Sequence, residues 1–454
     1  MYLRLLTAEE YGIWAKFNLM LQFIQPIMCW GLLATMTRLL AVAGQERREH
    51  TIAAALKMVT VLNAGLLLML AVLVVTQQRF LQPLAVGQQL NLLVLAALAA
   101  ALAAYPNILM GVYVADSKAL HYRSMSLIGF ALQAAVLGAC ASQFAMNAKM
   151  AILAMIAAAS GYAALSAYRL ARAAKWNAPA PEYKALLMFG VPVVLYTITG
   201  QSNDLIARYV LSSTVSSADF GAFSAGLLYA SVVAMLCSAI NLAWVPLFYR
   251  RAQEWMASGG VYRQFVDVFA ASMAIFAAFL IIFSTEFLTL YSGGSVQLDV
   301  SVVGMLIVSA WLNGAIWMGL SNPLFYEKRL KTVLVIVLVA TSASIPLALF
   351  LIPRYGMLGA SLSMLFNSTF LCLITALMLR KLGLPNLSYT KLALILFLLI
   401  FISSPLMNFI YQTPYGLQRV AEKSVLFVIF AALTFMLALR SGLNVLQAIE
   451  SDSA

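Results

Sequence analysis

The sequence has little charge: 10% of its 454 residues are charged, whereas 63% are apolar. Soluble domains carry about 25% charged and about 45–50% apolar residues, so this composition excludes a soluble globular protein. Cysteine and histidine are also scarce, with four and two copies. The cysteines lie in separate apolar runs without paired spacing, which argues against a disulfide framework or a metal cluster. The sequence also lacks a nucleotide-binding motif, and we expect no metal and no cofactor.

Long apolar segments are what the sequence has in abundance. A helix of about 20 residues crosses the ~30 Å hydrocarbon core of a bilayer. Transmembrane β-strands would be about 10 residues long and strictly alternating. The pattern therefore predicts an all-α polytopic membrane protein. The thirteen segments are roughly 11–43, 51–76, 89–114, 121–144, 148–170, 185–211, 220–248, 264–290, 299–325, 332–352, 356–379, 391–411 and 424–440.

The charges between these segments predict the topology. Of the 28 lysines and arginines, 18 lie in one set of alternate loops and at the C-terminal end, 6 in the other set and 4 within segments. The larger set, which includes Arg47, Arg48, Lys118 and Lys175, is cytoplasmic by the positive-inside rule. Most of the net charge of +12 is then topological. We expect a multi-pass protein of the bacterial inner (plasma) membrane with no nucleic-acid partner.

An internal repeat runs through the chain at an offset of 209 residues. TAEEYGIWA at Thr7–Ala15 matches SSADFGAFS at Ser216–Ser224, and each places an acidic residue before an aromatic-Gly pair that opens a helix. Parallel repeats around a central cavity are a common transporter design. A helix precedes the second copy, and its counterpart would end near residue 1. We therefore expect two pseudo-repeated six-helix lobes plus two C-terminal helices, with the first helix missing and 13 of 14 visible.

This repeat predicts four regions. Residues 1–170 form an N-lobe with five visible transmembrane helices, and 171–184 form a cytoplasmic linker that contains Ala-Pro-Ala-Pro. Residues 185–382 form a C-lobe with six transmembrane helices. Residues 383–454 hold the two extra helices and a cytoplasmic tail.

Three motifs resemble those of a known family. Asn203–Arg208 (NDLIAR), followed by Ser217–Gly221 (SADFG), resembles the seventh-helix signature of the polysaccharide transporter family. These are the Wzx-like lipid-linked oligosaccharide flippases of the multidrug/oligosaccharidyl-lipid/polysaccharide exporter superfamily. Leu6–Gly12 is similar to the loop after that family's first helix, and Ile352–Ala360 is similar to the loop entering its twelfth.

The resemblance implies a function. Two lobes would alternate access to move an undecaprenyl-diphosphate-linked oligosaccharide, an O-antigen or exopolysaccharide repeat unit, across the inner membrane. The implied partners are this lipid-linked oligosaccharide, membrane lipids, and polysaccharide polymerase and chain-length proteins. Such transport needs no covalent chemistry, so we expect a flippase of lipopolysaccharide or exopolysaccharide biosynthesis and not an enzyme.

Polar side chains within the first segment form a stripe. Asn18, Gln22, Gln25 and Cys29 recur at spacings of 4, 3 and 4, which places them within about 60° on one helix face. At the 209 offset, Ser231 corresponds to Gln22 and Ser238 to Cys29. Hydrogen bonding between helices and the lining of a cavity both explain such a stripe.

Segment 185–211 holds the densest polar cluster. Asp204 and Arg208 are four residues apart and can form an ion pair, whereas a functional interpretation makes Arg208 a substrate contact and Asp204 a cation or proton site. No catalytic or metal-binding residue is predicted. The predicted substrate-cavity residues are Asn18, Gln22, Gln25, Gln201, Asn203, Arg208, Ser231 and Ser238, and the predicted ion-coupling residue is Asp204.

Two other functions fit the hydropathy. A cation-coupled multidrug exporter of the same superfamily would favour buried acids, whereas the main deep acid, Asp204, has Arg208 beside it. A membrane polysaccharide polymerase or ligase would need a sizeable outer loop. The expected outer loops do not exceed roughly 13 residues, which disfavours the enzyme.

Arg208 gives the first test. We expect Arg208→Ala to abolish transport of the lipid-linked oligosaccharide, measured by complementation. The amount of the variant protein in the membrane should stay unchanged, measured by immunoblot. Retained transport would contradict a role for this guanidinium in the substrate cavity.

Overall fold

A computed structural model describes residues 2–41, 43–80, 87–176, 180–258, 260–294, 296, 298–327, 329–384, 389–404 and 421–436. Within these ranges the secondary structure is helical and no strand occurs, which confirms the all-α class. The chain divides into two compact units, Met1–Leu205 and Ile206–Ala454. The four regions expected from the sequence, with their linker at 171–184, stay a prediction.

Ten of the described helical stretches are long and apolar enough to cross a membrane, as a multi-pass membrane protein requires. The helices are α1 (Tyr2–Leu5), α2 (Ala8–Met28), α3 (Leu32–Ala41), α4 (Gln45–Phe80), α5 (Gly87–Ala115), α6 (Ala119–Gln143), α7 (Ala148–Ala173), α8 (Ala180–Thr214), α9 (Ser217–Ser258), α10 (Gly260–Ile282), α11 (Ser284–Ser292), α12 (Val300–Trp311), a π-helix (Leu312–Trp317), α13 (Met318–Tyr326), α14 (Leu330–Lys381), α15 (Tyr389–Ile402) and α16 (421–436).

Helix α14 is 52 residues long but contains a sharp reversal. Gly356 has a φ of 55° and a ψ of −127°, outside the helical region. A β-carbon on Gly359 would lie 2.3 Å from the carbonyl oxygen of Leu351. In a straight helix these residues would be about 12 Å apart along the axis. The chain therefore turns back at Gly356, which confirms the predicted break between the segments 332–352 and 356–379.

The repeat appears in the structure as matched helix starts. Helix α2 begins after Thr7 and α9 begins after Ser216, at the predicted offset. The hydroxyl oxygen of Thr7 accepts from the backbone N–H of Glu10 at 3.3 Å, and that of Ser216 accepts from Asp219 at 3.1 Å. Both are N-caps, in which a hydroxyl pairs with a backbone donor that has no partner within the helix. The same local chemistry therefore starts a helix in each unit.

The offset also relates the helices at the centre of each unit. Helix α5 corresponds in position to the stretch α12–α13. In the first unit α5 packs against α2, α3, α4 and α7, and in the second α12 packs against α9, α10, α14 and α15. Ala96, Ala100 and Ala104 on α5 are fully buried. Such small side chains allow the close helix approach on which packing within a membrane depends.

One end of the first unit carries a cluster of charges. Asp116, between α5 and α6, is paired with Arg48 of α4 and with Lys118. Burial alone raises the pKa of Asp116, but the hydrogen bonds from Lys118 and Arg48 outweigh it and lower the pKa. The stabilisation from this carboxylate is therefore present above the pKa of the unfolded chain and is lost as the pH falls through the lowered folded value.

Two further ion pairs join this end of the unit to the start of α8 and to the segment that follows α7. Arg47 lies 3.0 Å from Glu182, and Lys175 lies 3.7 Å from Glu49. The loops around residues 45, 117 and 176 thus meet at one end of the unit. These basic residues all belong to the lysine- and arginine-rich set of loops predicted above, and in the structure they lie at the same end of the unit.

Gly359 gives a test of the reversal in α14. We expect Gly359→Ala to lower the stability of the purified protein by roughly 1–3 kcal/mol, because the new methyl group would overlap a backbone carbonyl that cannot move freely. The measurement is thermal unfolding in detergent.

Gly65→Ala is the matched control, since a β-carbon there would meet nothing within 4 Å. That substitution should leave stability unchanged or raise it by up to about 1 kcal/mol through helix propensity. Equal melting temperatures for the two variants would contradict the reversal.

Candidate functional site: a cavity at the break of a helix

The first long apolar segment is interrupted in the structure. The predicted segment 11–43 is not one continuous helix: α2 ends at Met28 and α3 begins at Leu32. Between them Trp30 has a φ of 51° and Gly31 a φ of 62°, both left-handed. A bulky residue in this region costs about 1–3 kcal/mol and persists only where its surroundings fix it.

Asn63 of α4 supplies that fixation. Its side chain is 3% exposed. The Oδ1 atom accepts from the indole Nε1–H of Trp30 at 3.1 Å, and the Nδ2 atom donates to the carbonyl of Met28 at 3.1 Å. The hydroxyl of Thr35 donates to the carbonyl of Gly31 at 2.9 Å. The bond from Asn63 gives the Met28 carbonyl a partner that the break in the helix would otherwise remove. The bond from the indole fixes the Trp30 side chain.

Helix α8 lies directly against the break. A β-carbon on Gly190 would be 2.4 Å from the carbonyl oxygen of Trp30, and one on Gly31 would be 2.8 Å from the carbonyl oxygen of Gly190. Neither glycine can be replaced without separating the two backbones, and Gly31 also needs its positive φ. Two glycines therefore determine how closely α8 approaches the broken helix.

A cavity of about 360 Å³ lies at this junction, in the volume range of small-molecule sites. The five polar lining side chains other than cysteine are Gln22 and Gln25 of α2, Asn107 of α5, and Thr197 and Gln201 of α8. Among the lining residues that the structure describes, none is charged. The others are Pro26, Cys29, Gly31, Leu32, Leu33, Ala34, Val193 and Val194.

The lining offers both donors and acceptors of hydrogen bonds. The Nδ2 atom of Asn107 donates to the carbonyl of Ala103 at 2.9 Å and to the Cys29 sulfur at 3.1 Å. Both amide hydrogens are then used, so the carbonyl oxygen is the atom that Asn107 can offer to a ligand. Within the described part of the chain, the side chains of Gln25 and Gln201 make no hydrogen bond to protein. The site is thus polar and uncharged.

The structure brings together three residues that the sequence analysis selected: Gln22, Gln25 and Gln201. Asn18, from the same predicted stripe, is not among the lining residues, and its Nδ2 atom donates to the carbonyl of Trp14 within α2. The assignment of all four to a substrate cavity stays a prediction.

The remaining predicted residues lie on α8 and α9. Arg208 is buried, with 6% exposed, whereas Asp204 is exposed. Asn203 lies on α8, and its side chain is outside the described part of the structure. In the second unit Ser231 donates to the carbonyl of Leu228 at 2.6 Å, and Ser238 is exposed. Their proposed contacts with substrate or ion stay predictions.

Two polar residues of this region are not among the predicted site residues. Asn107 follows Pro106 in an alanine- and leucine-rich segment, and Asn63 lies alone in another apolar run. Both could have been selected by the rule that found the glutamines, because an amide within an apolar span needs a polar partner. Which partner each one has depends on packing between helices and is not written in the local sequence.

The role of Asn63 in fixing the break can be tested with Asn63→Leu. We expect a loss of about 1–3 kcal/mol in the free energy of unfolding, because the Trp30 N–H and the Met28 carbonyl would both lose their partner. Thermal unfolding in detergent measures the effect.

Asn18→Leu is the matched control, since it removes a single hydrogen bond within one helix. Asn18→Leu should lower the free energy of unfolding by clearly less than Asn63→Leu does. If the two variants unfold at the same temperature, Asn63 does not fix the break.

Three solved structures share the fold. The lipid II flippase MurJ in an inward closed conformation is 13% identical, with a TM-score of 0.66 over 96% of this chain and 95% of that chain. An inward-facing multidrug resistance MATE family transporter of the MOP superfamily is 14% identical, with a TM-score of 0.63 over 83% of this chain and 93% of that chain. A MOP superfamily transporter from Pyrococcus furiosus, described with a reversed polarity of its binding pocket, is 14% identical. Its TM-score is 0.53 over 82% of this chain and 90% of that chain.

No family model matches the chain, and no curated protein matches it. At such low identities the structural likeness shows the fold alone. The helix order of this chain is therefore that of the fold which these solved structures share.

Proposed function

We propose that this chain is a flippase that moves an undecaprenyl-diphosphate-linked oligosaccharide across the bacterial inner membrane by alternating access. The fold shared with the lipid II flippase MurJ supports transport of a lipid-linked substrate. The observation that carries the proposal is the uncharged, amide-lined cavity at the break between α2 and α3.

Sugar hydroxyls are the ligands that such a lining suits. Each hydroxyl both donates and accepts a hydrogen bond, as do the amides of Gln22, Gln25 and Gln201. Moving a hydroxyl-rich headgroup through hydrocarbon without replacing its bonds to water would cost several kcal/mol per group, on the order of 2–7. The cavity supplies replacements at membrane depth, and an uncharged sugar needs no countercharge.

The broken helix supplies a place for movement. Thr197 and Gln201 reach the cavity from α8, which touches the break through Gly190 and carries Pro192 within its length. A proline removes one helical hydrogen bond, so α8 can bend there. Bending of α8 against the fixed break would change the width of the cavity, which is the kind of two-state element that alternating access requires.

A multidrug exporter is the second candidate, supported by the fold shared with the MATE family transporter. A cationic drug would require an acidic partner. Asp204 is exposed on α8, close along the helix to the cavity residue Gln201. In this alternative Asp204 couples a cation or proton to export. The expected partners of the flippase, a polysaccharide polymerase and chain-length proteins, belong to the first candidate alone.

The two candidates predict different phenotypes for a deletion strain with its surface-glycan operon intact. A flippase predicts accumulation of the completed oligosaccharide-diphosphate lipid, measured by mass spectrometry of extracted lipids and reversed by the gene. Altered drug sensitivity without accumulation would instead support the exporter.

The double variant Gln25→Leu/Gln201→Leu tests the cavity within this strain. Each lost hydrogen bond contributes about 0.5–1.5 kcal/mol, so we expect transport to fall about 5- to 150-fold at unchanged protein level. Gln143→Leu, an exposed glutamine at the end of α6, is the matched control and should restore transport fully. Full activity of the double variant would show that the cavity does not hold the headgroup.

A further inference from the structure

A second, larger recess of about 1070 Å³ lies on the first unit, between α4, α5, α7 and the start of α8. It shares no described lining residue with the amide cavity. Four leucines, four alanines, one valine and one methionine line most of it, together with three tyrosines. Several of these side chains are open to the surroundings: Val61 is 70% exposed and Tyr168 is 60% exposed. The recess is therefore a groove along the side of the unit.

The groove is about as deep as one leaflet of a bilayer. Its lining residues on α7 run from Ser160 to Ala171, a distance of about 16 Å at 1.5 Å per residue. Half of the ~30 Å hydrocarbon core is about 15 Å. A hydrocarbon chain that begins at one membrane surface would thus end near the bilayer centre within this groove.

The two ends of the groove differ in chemistry. Lys57 is the one charged side chain among the described lining residues, and its ammonium donates to the carbonyl of Trp176. Trp176 follows Lys175, which belongs to the cluster of ion pairs at the predicted cytoplasmic end. Tryptophan and lysine side chains together are typical of the membrane–water interface. The groove therefore has a cationic, interfacial end and an apolar, deep end.

The wall between these ends has little to offer a polar ligand. The hydroxyls of Thr60 and Tyr105 pair with each other at 3.2 Å, and that of Ser160 donates to the carbonyl of Ile156 at 2.8 Å. The two other lining hydroxyls belong to Tyr168, near the end of α7, and Tyr183, near the start of α8, both toward the Trp176 end. A sugar would therefore find few partners along the wall, and a soluble anion would leave the apolar length unused. A phospholipid fits both ends of the groove, because its phosphate suits the cationic end and its acyl chain suits the apolar end.

We propose that this groove binds an anionic phospholipid of the cytoplasmic leaflet. Its phosphate pairs with the ammonium of Lys57, and one acyl chain runs along α4 and α7 toward Ser160. This site is separate from the amide cavity and does not depend on the transported substrate.

Binding can be measured by native mass spectrometry of the full-length protein in detergent, with phosphatidylglycerol or phosphatidylcholine of the same chain length. One lysine near a membrane surface favours an anionic lipid by about fivefold. We expect the wild type to bind phosphatidylglycerol about fivefold more tightly and Lys57→Gln to lose this preference. Lys57→Arg should keep it, as should Lys149→Gln, an exposed lysine at the far end of α7.

A second variant tests the apolar part of the groove. Ala164 lines it from α7, and Ala164→Trp should weaken binding of both lipids several-fold while Lys57 is intact. Thermal unfolding of each variant verifies that it folds. Unchanged selectivity in Lys57→Gln, or unchanged binding in Ala164→Trp, would overturn the proposal. So would recovery of a polyprenyl diphosphate, instead of a phospholipid, as the lipid bound to the purified protein.

Discussion

The break between α2 and α3 is the constraint on which the candidate site depends. In hydrocarbon every backbone N–H and C=O needs a partner, and a helix that stops within the membrane leaves several without one. Asn63, from a neighbouring helix, donates to the Met28 carbonyl and accepts from the indole N–H of Trp30. Gly31 and Gly190 then allow α8 to lie against the exposed backbone. The cavity, its glutamines and the approach of α8 all follow from a fixed interruption in one helix.

The break is also where the two repeats differ. Helices α2 and α9 begin at equivalent positions with equivalent caps, but α9 continues without interruption past the residues that correspond to Cys29–Gly31. A helix start needs only a hydroxyl and a backbone donor three residues apart, so many different sequences can form one. The break needs a buried amide and two glycines from distant positions. The repeat therefore conserves the scaffold while the site belongs to the first unit.

Sequence reasoning recovers what local chemistry determines. Spans follow from hydropathy, the start of α9 from the acidic residue and aromatic-Gly pair at Asp219–Gly221, and the break within α14 from the gap between the segments 332–352 and 356–379. The left-handed Trp30 could not be predicted, because its conformation depends on Asn63, 33 residues away. The glutamines could be selected because amides are costly in apolar spans, but Asn18 obeys the same rule and bonds within its own helix.

Charge and polarity are separated along the first unit, and this separation bears on what it can carry. Arg47, Arg48 and Lys175 lie in ion pairs at one end, whereas the described lining of the amide cavity is neutral. Burying a lone charge at membrane depth costs far more than burying a hydroxyl that is hydrogen-bonded. A neutral cavity therefore favours a sugar headgroup over a cation.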